Sequence, residues 1–207
     1  MKFVGYSFIL SHIMSTEKIH TWLKAGYDLL STEGTEGIKI ERLARILNLN
    51  KSGFYYYFGT MERFMKDLLH YHIAMAGHVA REIAGCEKID PDLLRLIVHH
   101  KEFFLVESQL LVKSKPLHAE KDMDEAWQIV NPELIQLWRR VSGRTSDTDL
   151  TRAYLDIIRH FFYARIDPGN IHYDFLHTLA AETKEVLNRV IVDKQFSPRD
   201  EQHTPDT

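Results

Sequence analysis

The chain has 207 residues, 44% of them hydrophobic and 27% charged, with a formal net charge of -3. This excludes a disordered chain and a protein coated in positive charge, and it allows one core or two small ones. One cysteine, Cys86, excludes an intramolecular disulfide and a cysteine-based zinc cluster, and it suits a reducing cytoplasm.

The first 13 residues hold a short apolar run without a strongly basic start or a small-x-small cleavage site, so residues 1–15 are expected to be a leader or flexible arm. Ile19, Trp22, Leu23, Gly26, Leu29 and Leu30 then recur at helical spacing, which predicts an amphipathic helix over 16–32 capped by Ser15 or Thr16. Ile40, Leu43, Ala44 and Leu47 predict a short helix over 39–47. Asn48 follows, and asparagine is the non-glycine residue that best tolerates a left-handed turn. A second short helix is expected to begin at Asn50, whose side chain can cap it. Two short helices joined by such a turn form a helix-turn-helix.

The run KSGFYYYF, residues 51–58, occupies the second of these helices. At about 100° per residue, Phe54 and Phe58 share one face and turn inward. Ser52, Gly53 and Tyr56 lie opposite, flanked by Lys51, Tyr55 and Tyr57. A slim face edged by phenol hydroxyls and an ammonium suits a DNA major groove, where small residues approach base edges and hydroxyls reach phosphate. Lys39, Arg42 and Arg45 are placed to touch the sugar-phosphate backbone. Local charge agrees: residues 1–72 carry nine Lys and Arg against seven Asp and Glu, a net of +2, whereas residues 73–207 carry 17 against 22, a net of -5.

From Thr60 to about Gly85 the pattern continues as one long helix with Phe64, Leu68 and Met75 facing inward. Pro91 is expected to open another helix. The polar stretch from Lys113 to Trp127 reads as a loop running into a helix, and Asn131-Pro132 as the cap of the next helix, to about Val141. Residues 147–166 are apolar on more than one face, with Leu150, Tyr154, Ile157, Phe161 and Ala164 on one and Leu155, Ile158 and Phe162 on another. Asp167-Pro168-Gly169-Asn170 is a turn, and 171–193 is the last helix. The tail, 195–207, lacks periodicity and is expected to be disordered. The chain therefore reads as all-α with about nine helices. No apolar run approaches the roughly 18 residues needed to span a bilayer, so no membrane association is expected and the location is expected to be cytoplasmic.

The segment IKIERLARILNLNKSGFYYYFGTMERFMKDLL, residues 38–69, resembles the DNA-binding signature of the TetR family of bacterial transcriptional repressors. Leu43 and Ala44 match its first helix, and Lys51, Tyr55, Tyr57 and Phe58 its second. The chain departs from the pattern in having Asn48 for a glycine, Ser52 and Gly53 for Gly and Thr/Ser, Phe54 for a smaller aliphatic residue and Met61 for a phosphate-holding lysine. The resemblance implies a three-helix DNA-binding domain, 16–60, followed by a helical effector-binding and dimerisation domain, 61–194. It implies a ligand-responsive repressor whose partners are a double-stranded DNA operator and a small-molecule effector. The DNA-binding residues expected are Lys39, Asn50, Lys51, Ser52, Gly53, Tyr55, Tyr56 and Tyr57. Surplus apolar surface on 147–166 and 171–193 independently points to a homodimer built as a four-helix bundle.

An effector pocket is expected between the long helix and helices 90–165, although Phe103, Phe104, Trp127, Trp138 and Phe161 each read first as core packing. No cofactor, metal site or enzymatic activity is expected. Twelve histidines invite a metal reading, and Asp156 and His160 form a pair at helical spacing, but a pair is far short of a four-ligand site. Asp122, Asp124 and Glu125 are explained by a helix dipole, and no nucleophile elbow or phosphate-cradling loop is present. The competing readings are an all-helical protein-interaction or scaffold protein and a helical carrier or enzyme with an enclosed pocket.

Overall fold

The computed structural model describes the backbone of residues 3–113, 120–142 and 148–193, and the side chains of 16–111, 125–142 and 151–185. The expected disordered tail lies outside the described residues. Among those that are described the protein is all-α: α1 (Phe3–Glu33), α2 (Ile40–Leu47), α3 (Lys51–Phe58), α4 (Met61–Ala84), α5 (Leu94–His99), α6 (Lys101–Ser108), α7 (Glu120–Ser142), α8 (Thr148–Arg165) and α9 (Tyr173–Asp193). Irregular helical turns at Ile89–Leu93 and Gln109–Lys113 flank the α5–α6 pair.

Of three boundaries, two differ from the expected ones. The first helix does not start at a Ser15 or Thr16 cap, because α1 runs unbroken from Phe3 and absorbs the leader. Pro91 directly follows extended Asp90 (φ -115°, ψ 120°) and begins the helical residues that run into α5, as expected. Asn131-Pro132 caps nothing, since α7 passes straight through Pro132. A mid-helix proline removes the hydrogen bond to the carbonyl four residues back. Ala126, Val130, Ile135 and Leu137 on either side are all buried, and packing along α4 outweighs that loss. The long connecting helix conforms to expectation: Thr60 Oγ1 accepts from the Arg63 amide at 3.1 Å, Phe64 and Leu68 are fully buried, and Met75 is half-buried. At its other end Arg140 of α7 donates to the Cys86 carbonyl at 2.9 Å, placing a cation where the helix dipole is negative.

The apolar residues form two clusters. One gathers Trp22, Leu30, Leu43, Phe54, Phe58, Phe64 and Leu68 from α1–α4, together with Val106 and Leu110 from α6 and the turn after it. The other joins the far half of α4 to α5–α9 through Val79, Ile83, Phe103, Leu137, Tyr163 and Leu176.

Between the two clusters runs a buried polar chain. Tyr27 of α1 lies 2.8 Å from His72 Nδ1 of α4, and His72 Nε2 lies 2.8 Å from Glu107 Oε1 of α6. Arg159 of α8 donates to Glu107 Oε2 at 3.3 Å, while its guanidinium sits 4.2 Å from the Trp127 ring centre. A carboxylate only accepts, so the His72–Glu107 bond is donated from Nε2. Burial, followed by the nearby Glu107 charge, pushes the phenols of Tyr27 and Tyr163 well above their ordinary range, which keeps the proton on Tyr27. His72 also stacks on Phe103, with ring centres 4.9 Å apart.

His72 is 1% exposed, Glu107 2% and Arg159 8%, so removal of one partner exposes no replacement from solvent. Glu107→Ala is expected to destabilise the protein by about 3–5 kcal/mol, because it leaves the Arg159 charge buried and uncompensated. Tyr27→Phe, which removes one hydroxyl, is expected to cost about 1–3 kcal/mol. Chemical denaturation of the two variants beside wild type measures both, and the order of the two losses is the sharper check.

Candidate nucleic-acid interface

The helix-turn-helix is built as its apolar spacing dictates. Asn48 adopts the left-handed conformation (φ 52°, ψ 42°), and the Leu49 amide returns to the Ala44 carbonyl at 2.9 Å, closing α2. Asn50 occupies the N-cap position of α3 with extended backbone, but its side chain makes no capping hydrogen bond, contrary to expectation. The Asn50 carbonyl instead takes the Gly53 amide at 3.0 Å.

Phe54 and Phe58 face inward, as four-residue spacing requires. Phe54 is 5.5 Å from the Trp22 ring centre and 5.2 Å from those of Phe58 and Phe64, and Phe58 to Phe64 is 4.9 Å. Edge-to-face pairs of this kind fix ring orientation as well as burying area. Phe64 reaches this cluster because Gly26 faces it: a Cβ on Gly26 would stand 2.5 Å from Phe64 Cζ. The rotation of α3 about its axis is thereby set from inside.

What is left outside is a stripe of Lys51, Ser52, Tyr55 and Tyr56, all exposed, with Tyr56 at 81% and Tyr55 at 53%. Lys39, Arg45 and Asn50 are exposed as well. Two expected residues stand elsewhere. Gly53 faces α1, where an added Cβ would lie 4.0 Å from Trp22, and Tyr57 is half-buried against the aromatic cluster. The helical wheel places Gly53 opposite the phenylalanines but does not reveal that Trp22 of another helix covers that side. Ile46 (54% exposed) and Leu49 (42%) adjoin the stripe, so four of the six exposed large hydrophobic side chains among the described residues fall within 46–56.

Two ion pairs border this surface. Arg42 is clasped by both carboxylate oxygens of Glu33, and Lys51 Nζ lies 2.8 Å from Glu41 Oε1. The hydrogen bond from Lys51 is the main cause holding the Glu41 carboxyl below its ordinary range, and the same bond raises Lys51. Glu33 and Glu41 escape a sequence reading because each partner sits on a different helix at no regular spacing.

In the remainder of the chain Phe103 and Phe104 are closed into the core, Trp127 is covered by Arg159, and Phe161 lies 5.2 Å beneath the Arg165 guanidinium. An open depression of about 260 Å³ is lined instead by Arg95, Val98 and Tyr173, on the α5–α9 side. Beside it Asp90 accepts from the Tyr173 hydroxyl at 2.5 Å and pairs with His177 Nδ1 at 2.6 Å. No group of three metal-ligating side chains occurs among the described residues, and no helix among them is long and apolar enough to cross a membrane.

No protein-family model and no curated protein matches the chain. Among solved structures, the chain is similar to a Rhodococcus sp. protein described as a TetR-family transcriptional regulator, at 15% identity and a TM-score of 0.42, over 80% of this chain and 96% of that one.

The Asp90 cluster yields a pH dependence. The Tyr173 hydroxyl first, and then His177, hold the Asp90 carboxyl below its ordinary range. A depressed carboxylate adds stability above its unfolded pKa and loses it as pH falls through the folded one. The melting temperatures of wild type and Asp90→Asn are therefore expected to differ at neutral pH and to converge below about pH 4.

Proposed function

We propose that this protein is a DNA-binding transcriptional regulator of the TetR type, a homodimer that reads a pseudo-palindromic operator with α3 and is released by a small molecule. The observation that carries the reading is the inward lock of Phe54 and Phe58, which leaves Lys51, Ser52, Tyr55 and Tyr56 as an outward stripe on the second helix of a helix-turn-helix. In this reading the N-terminal turn of α3 enters the major groove, the phenols and Lys51 meet phosphates and base edges, and exposed Lys39 and Arg45 touch the flanking backbone.

Dimerisation through α8 and α9 is favoured by Ile157, 61% exposed on α8 beside half-buried Tyr154 and Phe161. Two such heads read half-sites about 34 Å or more apart. An effector acts by binding more tightly to the arrangement in which the heads are wrongly spaced, and its leverage equals that difference in affinity. The Tyr27–His72–Glu107–Arg159 chain supplies a contiguous polar connection from α8 to α1 along which such a preference can be felt.

A second reading has its own support. Ile46, Leu49, Tyr55 and Tyr56 are all exposed on the helix-turn-helix, and exposed large apolar side chains gathered on one motif favour a protein partner.

An electrophoretic shift on the DNA upstream of the protein's own coding region separates the two. The DNA reading expects salt-dependent retardation that Tyr55→Ala combined with Lys51→Ala weakens at least about tenfold. Retardation insensitive to that pair of substitutions, or absent at low salt, rejects it in favour of the protein-docking surface.

A further inference from the structure

The helix-turn-helix segment 39–58 carries four basic side chains, Lys39, Arg42, Arg45 and Lys51, and two of them are already matched by carboxylates of their own chain. The Lys51–Glu41 pair is solvent-exposed on both sides, 52% and 69%, and such a pair adds little to stability. Its location gives it a different significance. Lys51 opens α3 one turn before Tyr55, and Glu41 lies in the first turn of α2, so a carboxylate stands at the rim of the surface that faces DNA in the reading above.

Sequence-independent binding to DNA is almost wholly electrostatic, each neutralised phosphate releasing condensed counterions. A lysine paired with a carboxylate brings no net charge to the duplex and so adds less to that release than a free one, and the carboxylate itself repels phosphate. In a loosely seated complex no other contact offsets the separation of Lys51 from Glu41. In a fully seated complex, phenol and hydroxyl contacts hold α3 deep in the groove, and Lys51 is then close enough to a phosphate to exchange partners.

We propose that Glu41 is a specificity-setting residue: it withholds Lys51 from phosphate on non-operator DNA and yields it only when the Ser52–Tyr55–Tyr56 stripe is seated on a matching site. The proposal rests on the DNA-binding reading and deepens it, assigning discrimination to a residue that touches no base. The Glu41 carboxyl, held below its ordinary range by Lys51, keeps its charge throughout the neutral range and so acts as a permanent guard.

The test uses the full-length protein and two duplexes of equal length. One is enriched from a random-sequence pool by the wild-type protein, and the other is of mixed, unselected sequence. Affinities are read by fluorescence anisotropy over a series of salt concentrations for wild type, Glu41→Gln, Lys51→Met and the double variant. Glu41→Gln is expected to tighten binding to the unselected duplex about tenfold at low salt and to steepen its log K against log salt by about 0.9, while the slope on the selected duplex stays put. The ratio between the two affinities then narrows. Lys51→Met should do the reverse, flattening the slope on the selected duplex by about 0.9 and leaving the other unchanged. The double variant should match Lys51→Met in slope on both duplexes.

Equal shifts on both duplexes, or none on either, overturn the role of Glu41 while the DNA-binding reading stands. If the wild-type protein enriches no duplex and shows no salt-dependent affinity for either, the reading itself falls, and the role of Glu41 with it.

Discussion

Four aromatic rings in mutual contact decide which side of α3 the protein shows to the outside. Trp22, Phe54, Phe58 and Phe64 come from α1, α3 and α4, and each ring is set edge-on or tilted against its neighbours. An eight-residue helix is too short to hold itself in water, since nucleation costs more than its few internal hydrogen bonds return. The cluster therefore does two things at once: it keeps α3 helical, and it fixes the rotation that leaves Tyr55 and Tyr56 outside. Gly26 is part of the same constraint, because any side chain there would press on Phe64 and shift the ring against which Phe54 and Phe58 are packed.

The second organising feature is polar. Tyr27, His72, Glu107 and Arg159 come from four helices and are joined end to end by hydrogen bonds, with Tyr163 also bonded to Glu107. An apolar contact slides at small cost, whereas a buried carboxylate moved away from its donors loses several kcal/mol. The junction between the two apolar clusters is thus defined by direction and distance, not just by burial. Val106 and Leu110 reinforce it by inserting into the α1–α4 cluster from the α6 side.

How much of this was legible in the sequence follows from the range of each interaction. The spacing of Phe54 and Phe58 is local, so α3 was placed at the residues it occupies and its inward face was correctly chosen. Asn48 announced its left-handed turn by residue type alone. The buried polar chain was invisible: its members are separated by 45, 35 and 52 residues, and nothing in the vicinity of any one points to the next. The same holds for Lys51 and Glu41, which the turn folds together. Pro132 misled for a different reason: its local preference is real but is overruled by burial on both sides along α4. Gly53 misled because a helical wheel knows the axis of one helix and not the position of another. The leader has the composition of an arm, whereas its backbone continues α1.

The position of His72 within α4 has a mechanical meaning. A helix of 24 residues is about 36 Å long, and residue 72 falls at its midpoint, gripped there by Tyr27 on one side and Glu107 on the other. Any tilt of α4 about that grip moves its two ends in opposite directions. A tilt of about 5° about that grip carries each end some 1.5 Å. The end that turns into α3 and the half packed with α7 are thus tied through one point.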